Sequence, residues 1–472
     1  MLQIAYSSYS LPLNTINRQD ESFTAAFSFL IVILGISAWY LWTIRKPMTP
    51  LPPGPRGLPV VGYLPFLGLD NLHLLFTDLA GAYGPIFKLW LGNKLTIVIS
   101  SPSLVKQVVR DNDVAFSERE PSIAAQILAT DVLSNANLKA CYGLRREQMT
   151  KTIWDVYENV GKPFDIGELA FLTAISATVS MMWGSKLRGQ EGAIVEGPFK
   201  DLSSEIMVLL GKPNISDIFP WIALFDVQGI ERDMKKIRRS FNELLDSVIE
   251  PRMKAGTEKE KVDGVRHCGG WNQYYFNYDR MGNGRANTKS KNNGKVKKEL
   301  GDVVGLKNTV EEFHLPNLSY LNAVIKETFR VHPPLPLLVP RSCGKSLHLG
   351  GYTIPKGSRV FLNIGSICMD PNIWDTPSEF RPERFLNDKF DFQGNDFRYF
   401  PFGSGRRRCP GLSLGEKMLS FILASLVHSF EWKLPHGTEL DLSSKFGSVV
   451  KKKIPLRLIP MPRLTNLELY KE

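Results

Sequence analysis

The most informative segment of this chain is Pro401-Phe402-Gly403-Ser404-Gly405-Arg406-Arg407-Arg408-Cys409-Pro410-Gly411. It is a glycine-rich loop with one cysteine, and it leads directly into apolar residues at helical spacing: Leu414, Met418, Phe421, Ile422 and Leu426. This spacing predicts a buried helix that begins just past Cys409. A cysteine in that position lies at the positive end of the helix dipole and near free backbone N–H groups, which favour the thiolate.

The loop permits two chemical interpretations. A thiolate ligand to haem iron needs an anionic sulfur, N–H donors that tune it and a cation for a haem propionate, and three arginines precede the cysteine. A lone cysteine is more often a buried structural residue beside a solvated turn. The loop fits the spacing Phe-x-x-Gly-x-Arg-x-Cys-x-Gly, which favours the iron ligand, at Phe402, Gly405, Arg407, Cys409 and Gly411.

With this motif the chain resembles the cytochrome P-450 superfamily of haem-thiolate monooxygenases, in its plant microsomal form, over most of residues 23–472. The resemblance implies a mainly α fold with small β-sheets, preceded by a single N-terminal transmembrane helix. It also implies haem b as the cofactor, with Cys409 as the metal ligand. Arg407 and Arg341 would bind the propionates, and Phe402, Gly405 and Gly411 would complete the cofactor-binding set. The two glycines would let the backbone approach a flat ligand closely.

A second pair of motifs carries the same resemblance. Glu327 and Arg330 lie three residues apart on a predicted helix, so their side chains can meet. Alone, such a pair is an ordinary surface ion pair worth under about 1 kcal/mol. The run Phe380-Arg381-Pro382-Glu383-Arg384-Phe385 follows downstream. Because the arginine of this run joins the other two in the resembling family, we expect one structural network of Glu327, Arg330 and Arg384.

Composition limits the cellular setting. The net charge of +11 fits nucleic acid, an anionic membrane or an acidic protein partner, and no nucleic-acid motif accompanies it, so no nucleic-acid partner is expected. The cysteines show neither paired nor metal-type spacing, which indicates a reducing compartment and no disulfide framework: Cys141, Cys268, Cys343, Cys368 and Cys409.

The N-terminal residues predict a membrane anchor. Residues 1–22 are polar and are expected to be luminal or disordered, and residues 23–44 form an uncharged apolar run long enough to span a bilayer. A cleaved signal peptide is the alternative. Arg45 and Lys46 follow at once, which places the rest of the chain in the cytosol. The proline-rich residues 45–59 predict a stiff hinge, although such a run can also bind a partner protein.

Residues 60–472 are expected to form one mixed domain. Lys88 to Ile99 contains β-branched residues and predicts a hairpin that turns at Gly92-Asn93. Most of the remaining chain has helical spacing, as in Leu138 to Val160, Phe199 to Leu210, Ile230 to Met253 and Leu318 to Arg330. Short strands are predicted around Gly350-Gly351 and over Ser358 to Ile364.

Two parts of the family pattern are missing from this chain. Between Ser117 and Asn137 the family has a helix with Trp-x-x-x-Arg, whose arginine binds a propionate, and that motif does not occur here. The family's long central helix, with an acid and an alcohol that relay protons, has no counterpart in the polar residues 262–294. No catalytic residue can therefore be named, and residues 262–294 are predicted to be disordered.

We infer that this polar segment is read out of frame. One base later, the codons of Trp271 and Asn272 must give glycine, and those of Met281 and Gly282 must give tryptophan. The codon degeneracies between them permit Thr-Asn-Thr-Thr-Ser-Thr-Thr-Thr-Glu, which is the central-helix pattern with Asn or Ser in place of the usual Asp. The normal frame returns near Lys295.

The resemblance implies a monooxygenase that inserts one atom of O₂ into an apolar plant secondary metabolite: a terpenoid, flavonoid or phenylpropanoid. Electrons would come from NADPH through NADPH–cytochrome P-450 reductase, docked on the basic face near Arg406 and Arg408. The expected location is the endoplasmic reticulum membrane, with a single pass and a cytosolic catalytic domain. The alternatives are an inactive or haem-poor product of a damaged or incorrectly predicted gene, and a non-enzymatic membrane-tethered binding protein.

Overall fold

The structure is a computed structural model that describes residues 26–38, 50–68, 71–117, 141–183, 225–254, 286–386, 390–441, 443–445 and 449–471, with short pieces between 197 and 219. Besides the helical residues 26–38 and short helical pieces between 197 and 219, the described α-helices are α1 (Leu72–Tyr83), α2 (Pro102–Lys106), α3 (Tyr142–Glu158), α4 (Ile166–Trp183), α5 (Ile230–Lys254), α6 (Ala286–Val303), α7 (Ser319–Val331), α8 (Ile364–Cys368), α9 (Leu412–Ser429) and α10 (Glu468–Lys471).

The strands are short and form small sheets. They are β1 (Ile86–Leu91), β2 (Lys94–Ile99), β3 (Phe164–Asp165), β4 (Arg341–Ser342), β5 (Leu347–Leu349), β6 (Tyr352–Ile354), β7 (Arg359–Leu362), β8 (Phe430–Lys433), β9 (Ser444–Lys445), β10 (Lys451–Lys452) and β11 (Arg457–Pro462). The largest described sheet has the order β1-β2-β7-β4. The mixed, mainly helical architecture expected from the sequence is thereby confirmed.

The first hairpin forms where the sequence predicts it. β1 and β2 pair antiparallel with Leu91 opposite Lys94, and Gly92 at the turn has a φ of 58°, which glycine adopts without steric cost. β2 then pairs in parallel with β7, with Ile97 opposite Val360. β4 joins the other edge of β7 antiparallel, with Arg341 opposite Val360. This sheet brings Arg341 next to the N-terminal part of the domain.

The larger core surrounds α9 and α7. The five apolar residues of α9 that the helical spacing selects are all buried: Leu414, Met418, Phe421, Ile422 and Leu426. On α7, Leu321, Ile325 and Phe329 are buried in the same cluster. α9 is therefore a central helix of the domain, and it fixes the position of the loop that precedes it.

Two regions near the N-terminus bear on the predicted anchor and hinge. Residues 26–38 are helical, and their large apolar side chains are exposed. Residues 23–25 and 39–44 of the predicted span lie outside the described residues. None of the helices in the described part of the chain is both long and apolar enough to cross a membrane. Within the hinge, the carbonyl of Pro53 accepts a hydrogen bond from the Lys88 N–H at 2.8 Å, so this part lies against β1.

The end of the polar segment corrects one prediction. The sequence predicts disorder for residues 286–294, but they form the first turns of α6. The C-terminal half of this helix buries Val296 and Leu300 in the core. Once that half is nucleated by packing, each residue added at the N-terminal end gains a backbone hydrogen bond without a new nucleation cost. Residues 262–285 lie outside the described part of the chain.

Candidate functional site

The cysteine loop, Pro401–Gly411, is held by its own backbone. Gly403 and Gly405 adopt left-handed φ angles of 77° and 69°, which favour glycine. A 3₁₀ turn covers Gly405–Arg407, and the Cys409 N–H donates to the carbonyl of Phe402 at 2.9 Å. α9 begins three residues after the cysteine. The loop therefore presents Cys409 at the head of a buried helix, as the sequence predicts.

The sequence predicts that the helix end favours the thiolate of Cys409, but the pKa of this thiol is raised. Its side chain is buried, and burial raises the pKa of the thiol to about 11. A hydrogen bond from the Gly411 N–H and the positive charge of Arg408 lower the pKa, but their effect is smaller than that of burial. The thiolate is thus not favoured by the helix end alone. The N–H donor and the cation instead reduce the cost of forming a thiolate when a metal takes the place of the proton.

Phe402 supports the loop from the core side. Its ring is buried and lies 5.2 Å from the ring of Phe329 on α7 and 5.4 Å from that of Phe392, measured between centroids. Aromatic pairs at such distances contribute stabilisation beyond the apolar area that they bury. The motif phenylalanine therefore anchors the start of the cysteine loop to α7.

The two arginines expected to bind propionates lie on the same side of the loop. Arg341 is buried, and its Nη2 donates to the carbonyl of Ser404 at 2.9 Å. Its Nη1 lies 3.7 Å from Oδ1 of Asp113. Arg407 is exposed, and its Nε donates to the carbonyl of Ser117 at 2.6 Å. Both guanidinium groups thus contact residues within 113–117, the segment that follows the π-helical turn Gln107–Asp111.

The three residues predicted to form an ionic network are in contact. Glu327 accepts hydrogen bonds from Arg330, and its Oε1 lies 3.4 Å from Nε of Arg384. All three side chains are buried. The Arg381 N–H also donates to Glu327, at 2.8 Å, and Arg330 donates to the carbonyl of Cys368. The network therefore joins α7 both to the downstream Pro-Glu-Arg-Phe run and to the end of α8.

Sequence reasoning missed several members of this site. Asp113 and Ser117 carry no motif that the resemblance singles out, and the backbone groups of Arg381 and Cys368 cannot be recognised by side-chain type. No spacing rule would have selected Asp113, because its partner Arg406 is 293 residues away.

Comparison with known proteins decides the family. The family model described as Cytochrome P450 matches residues 52–131 and 291–460. The chain is 33% identical to ferruginol synthase of Isodon rubescens over 470 residues, which cover 87% of this chain and 94% of that protein. It is 34% identical to carnosic acid synthase of Salvia pomifera, over 87% of this chain and 93% of that protein. It is also 34% identical to geraniol 8-hydroxylase of Catharanthus roseus, over 87% and 94%.

The chain belongs to the cytochrome P450 family. Its matched ranges include the cysteine loop, the network of Glu327 with its two arginines, and the segment that carries Asp113. Residues 132–290 lie between the two matched ranges. Residues 118–136 of the region that lacks the Trp-x-x-x-Arg helix, and residues 262–285 of the segment that replaces the central helix, lie outside the described residues.

Cytochrome P450 enzymes carry haem iron, and the donor set of this chain fits that group. A cysteine sulfur with an N–H donor from Gly411 is a suitable thiolate ligand, and a cation from Arg408 lies nearby. Arg341 and Arg407 supply guanidinium groups on one side of the loop, where they suit carboxylates. The residues present therefore match the chemistry of a haem with two propionates.

Proposed function

We propose that this cytochrome P450 is a haem-thiolate monooxygenase that inserts one atom of O₂ into an apolar terpenoid. The observation that carries the proposal is the cysteine loop: Cys409 is buried at the head of α9, with a hydrogen bond from Gly411 and three adjacent arginines. When bound, the haem iron supplies the activation of O₂. Cys409 would hold the iron, and Arg341 and Arg407 would hold the propionates.

The protein's own residues contribute orientation and exclusion of water. Phe402, packed on Phe329 and Phe392, fixes where the loop enters the core. Burial of Cys409 keeps solvent from the sulfur, and the Gly411 N–H stabilises negative charge on it. The acid and the alcohol that relay protons in the family would fall in the segment predicted to be out of frame, so no catalytic acid is assigned.

The test of this proposal is the optical spectrum of the reduced protein with carbon monoxide. We expect a Soret band at the thiolate-type position in the full chain, lost in Cys409→Ala. Cys141→Ala is the matched control, because Cys141 is a half-buried free cysteine elsewhere in the chain. A band that survives Cys409→Ala, or that disappears equally in Cys141→Ala, would overturn the assignment.

The substrate class is drawn from the relatives. Geraniol 8-hydroxylase is named for a terpenoid alcohol, and the ferruginol and carnosic acid synthases rank beside it in similarity to this chain. We therefore place terpenoids ahead of the flavonoids and phenylpropanoids. Geraniol and a flavanone, each incubated with the enzyme, NADPH and NADPH–cytochrome P-450 reductase, separate these classes by their oxygenated products. Turnover of the flavanone alone would contradict the proposal.

NADPH electrons are typical of this family, and we propose that a membrane-bound reductase delivers them. The support is the exposed basic surface that Arg406 and Arg408 form within the cysteine loop. An acidic protein surface would be attracted to it, and salt would weaken the encounter. Reduction that is equally fast at low and high ionic strength would speak against this docking surface.

We further propose that residues 23–44 anchor the protein in the endoplasmic reticulum membrane, with the domain in the cytosol. The support is the uncharged apolar run, followed by Arg45, Lys46 and the proline-rich hinge of residues 45–59. Protease added to intact microsomes should digest the domain. Protection of the domain would contradict this topology.

A further inference from the structure

The carboxylate of Asp113 connects two arginines at the cysteine loop. Its Oδ2 lies 3.1 Å from Nε of Arg406 and 3.4 Å from the Arg406 backbone nitrogen. Its Oδ1 lies 3.7 Å from Nη1 of Arg341. The Asp113 side chain is only 16% exposed, whereas that of Arg406 is 68% exposed. One carboxylate thus faces a buried arginine of β4 and an exposed arginine of the loop.

The loop approaches Asp113 so closely that it has no room for a side chain at Gly405. A Cβ atom at this position would lie 2.6 Å from the carbonyl oxygen of Val109 and 2.9 Å from Oδ1 of Asp113. The glycine also has a φ of 69°. Gly405 therefore lies directly against Val109 and Asp113, beside the ion pair that Asp113 forms with Arg406.

The second partner, Arg341, needs an anion nearby. Its side chain is 4% exposed, and a cation that is this deeply buried is costly without a neighbouring negative charge. The carbonyl of Ser404 accepts one of its hydrogen bonds but carries no net charge. Asp113 supplies a negative charge at ion-pair distance from Nη1, while the Ser404 carbonyl holds Nη2 by a hydrogen bond.

We propose that Asp113 is a positioning residue of the haem-thiolate site. It orients Arg341 toward the cofactor and holds the cysteine loop through Arg406 and Gly405. The part of this proposal that concerns the cofactor rests on the proposed function, because it takes Arg341 to be a propionate partner. The part that concerns the loop rests on the contacts alone.

The first experiment needs no cofactor. Hydrogen exchange of the peptide covering residues 401–411 is compared among the full chain, Asp113→Asn, Arg406→Gln and Asp111→Asn. Asp111 is the matched control, because it is an exposed carboxylate in the adjoining turn. We expect the amide of Cys409 to exchange about tenfold faster in Asp113→Asn and Arg406→Gln, and at the parent rate in Asp111→Asn. Unchanged exchange in Asp113→Asn and Arg406→Gln would overturn the proposal whether or not haem binds.

The second experiment uses haem-loaded protein. Release of haem to an excess of a scavenging apoglobin should be about tenfold faster in Asp113→Asn than in Asp111→Asn, the size typical of losing a group that orients a cofactor's partners. The reduction potential should also rise in Asp113→Asn, because removing a nearby negative charge favours the reduced iron. Asp113→Asn could show faster amide exchange at Cys409 while its haem release and reduction potential match those of the parent. Asp113 would then have only a structural role in the loop, and its proposed role toward the cofactor would be overturned. A parent chain without a thiolate-type spectrum would refute the proposed function, while the exchange result would still decide the role of Asp113 in the loop.

Discussion

Glu327 and Arg330, three residues apart on α7, share two hydrogen bonds of 2.7 and 2.8 Å, and both side chains are fully buried. The paired geometry satisfies both carboxylate oxygens and two guanidinium nitrogens at once. Arg330 also donates to the carbonyls of Cys368 and Glu379. The pair therefore connects α7 to α8 and to the segment that follows it, which is more than a surface ion pair could do.

Removing one member of this pair should be strongly destabilising. Arg330→Ala would leave the Glu327 carboxylate buried with less compensation, and such changes cost about 3–5 kcal/mol. Arg381→Ala is the control, because the Arg381 side chain pairs with Asp375 in a largely exposed position. Such a pair contributes about 0–1 kcal/mol to the free energy of unfolding. Urea unfolding measures both. Equal losses of stability in the two variants would contradict the structural role assigned to Arg330.

Gly405→Ala separates steric crowding from backbone strain. The control is Gly437→Ala, because Gly437 has a similar φ of 74° but no atom within 4 Å of the place that a Cβ would occupy. Gly437→Ala therefore carries only the left-handed cost of roughly 1–2 kcal/mol. Gly405→Ala adds contact with Val109 and Asp113, so it should destabilise further and lower haem content. Urea unfolding and the ratio of haem to protein check this, and indistinguishable variants would show that the loop relaxes without cost.

The buried His428 should make stability depend on pH. Burial lowers its pKa, the charges of Arg463 and His314 add to this, and the carbonyls of Asn308 and Gly305 oppose it. Because the folded pKa is depressed, the unfolded chain binds the proton more readily once the pH falls below about 6.5. The contribution of His428 is then full above that pH and is lost as the pH falls toward the folded pKa.

His428→Gln should therefore lose less stability than the parent between pH 7.5 and 5.5, measured as urea midpoints. His348→Gln provides the comparison, because His348 is an exposed residue of β5. Carboxyl groups also titrate in this range, but they are common to all three chains. A parent-like pH dependence in His428→Gln would rule out this histidine as the source.

The out-of-frame segment gives a prediction about activity. A chain with the shifted reading of residues 271–281 and the missing Trp-x-x-x-Arg helix restored should turn over substrate about a hundredfold faster than the chain as written, because a proton relay contributes on that scale. NADPH-dependent product formation measures this, and the transcript sequence across residues 262–295 provides an independent check. Comparable turnover by the two chains would refute the frameshift.

Local pattern predicted the elements of this fold well. The apolar spacing identified α9 and α5, and β-branched residues with Gly92-Asn93 located the first hairpin. These features depend on neighbours within one or two turns of chain, so the sequence displays them directly. The start of α6 was missed because its first turns are polar. They extend in the N-terminal direction from a helix that is nucleated at Val296 and Leu300, whose packing partners lie elsewhere in the chain.

Sequence motifs predicted the residues of the site that lie at fixed spacing. The contacts that depend on three-dimensional packing were not predicted. Fixed spacing selected Cys409, Arg330 and Arg384. The structure places Cys409 just before α9, and both arginines contact Glu327. Two properties depend on three-dimensional packing. One is the net effect of burial on the thiol of Cys409, and the other is the contact of Asp113 with two arginines. No local sequence pattern indicates either of these two properties.

The parallel pairing of β2 with β7 also imposes an order on synthesis. Thr96–Ile99 can find its partner Arg359–Leu362 only after the ribosome has added the intervening residues, which at roughly 5–20 residues per second takes tens of seconds. During that time one edge of a strand with five buried residues is unpaired and apolar. The nascent chain should therefore depend on chaperones over this interval, and synonymous codons that slow translation between these two strands should lengthen its exposure to aggregation.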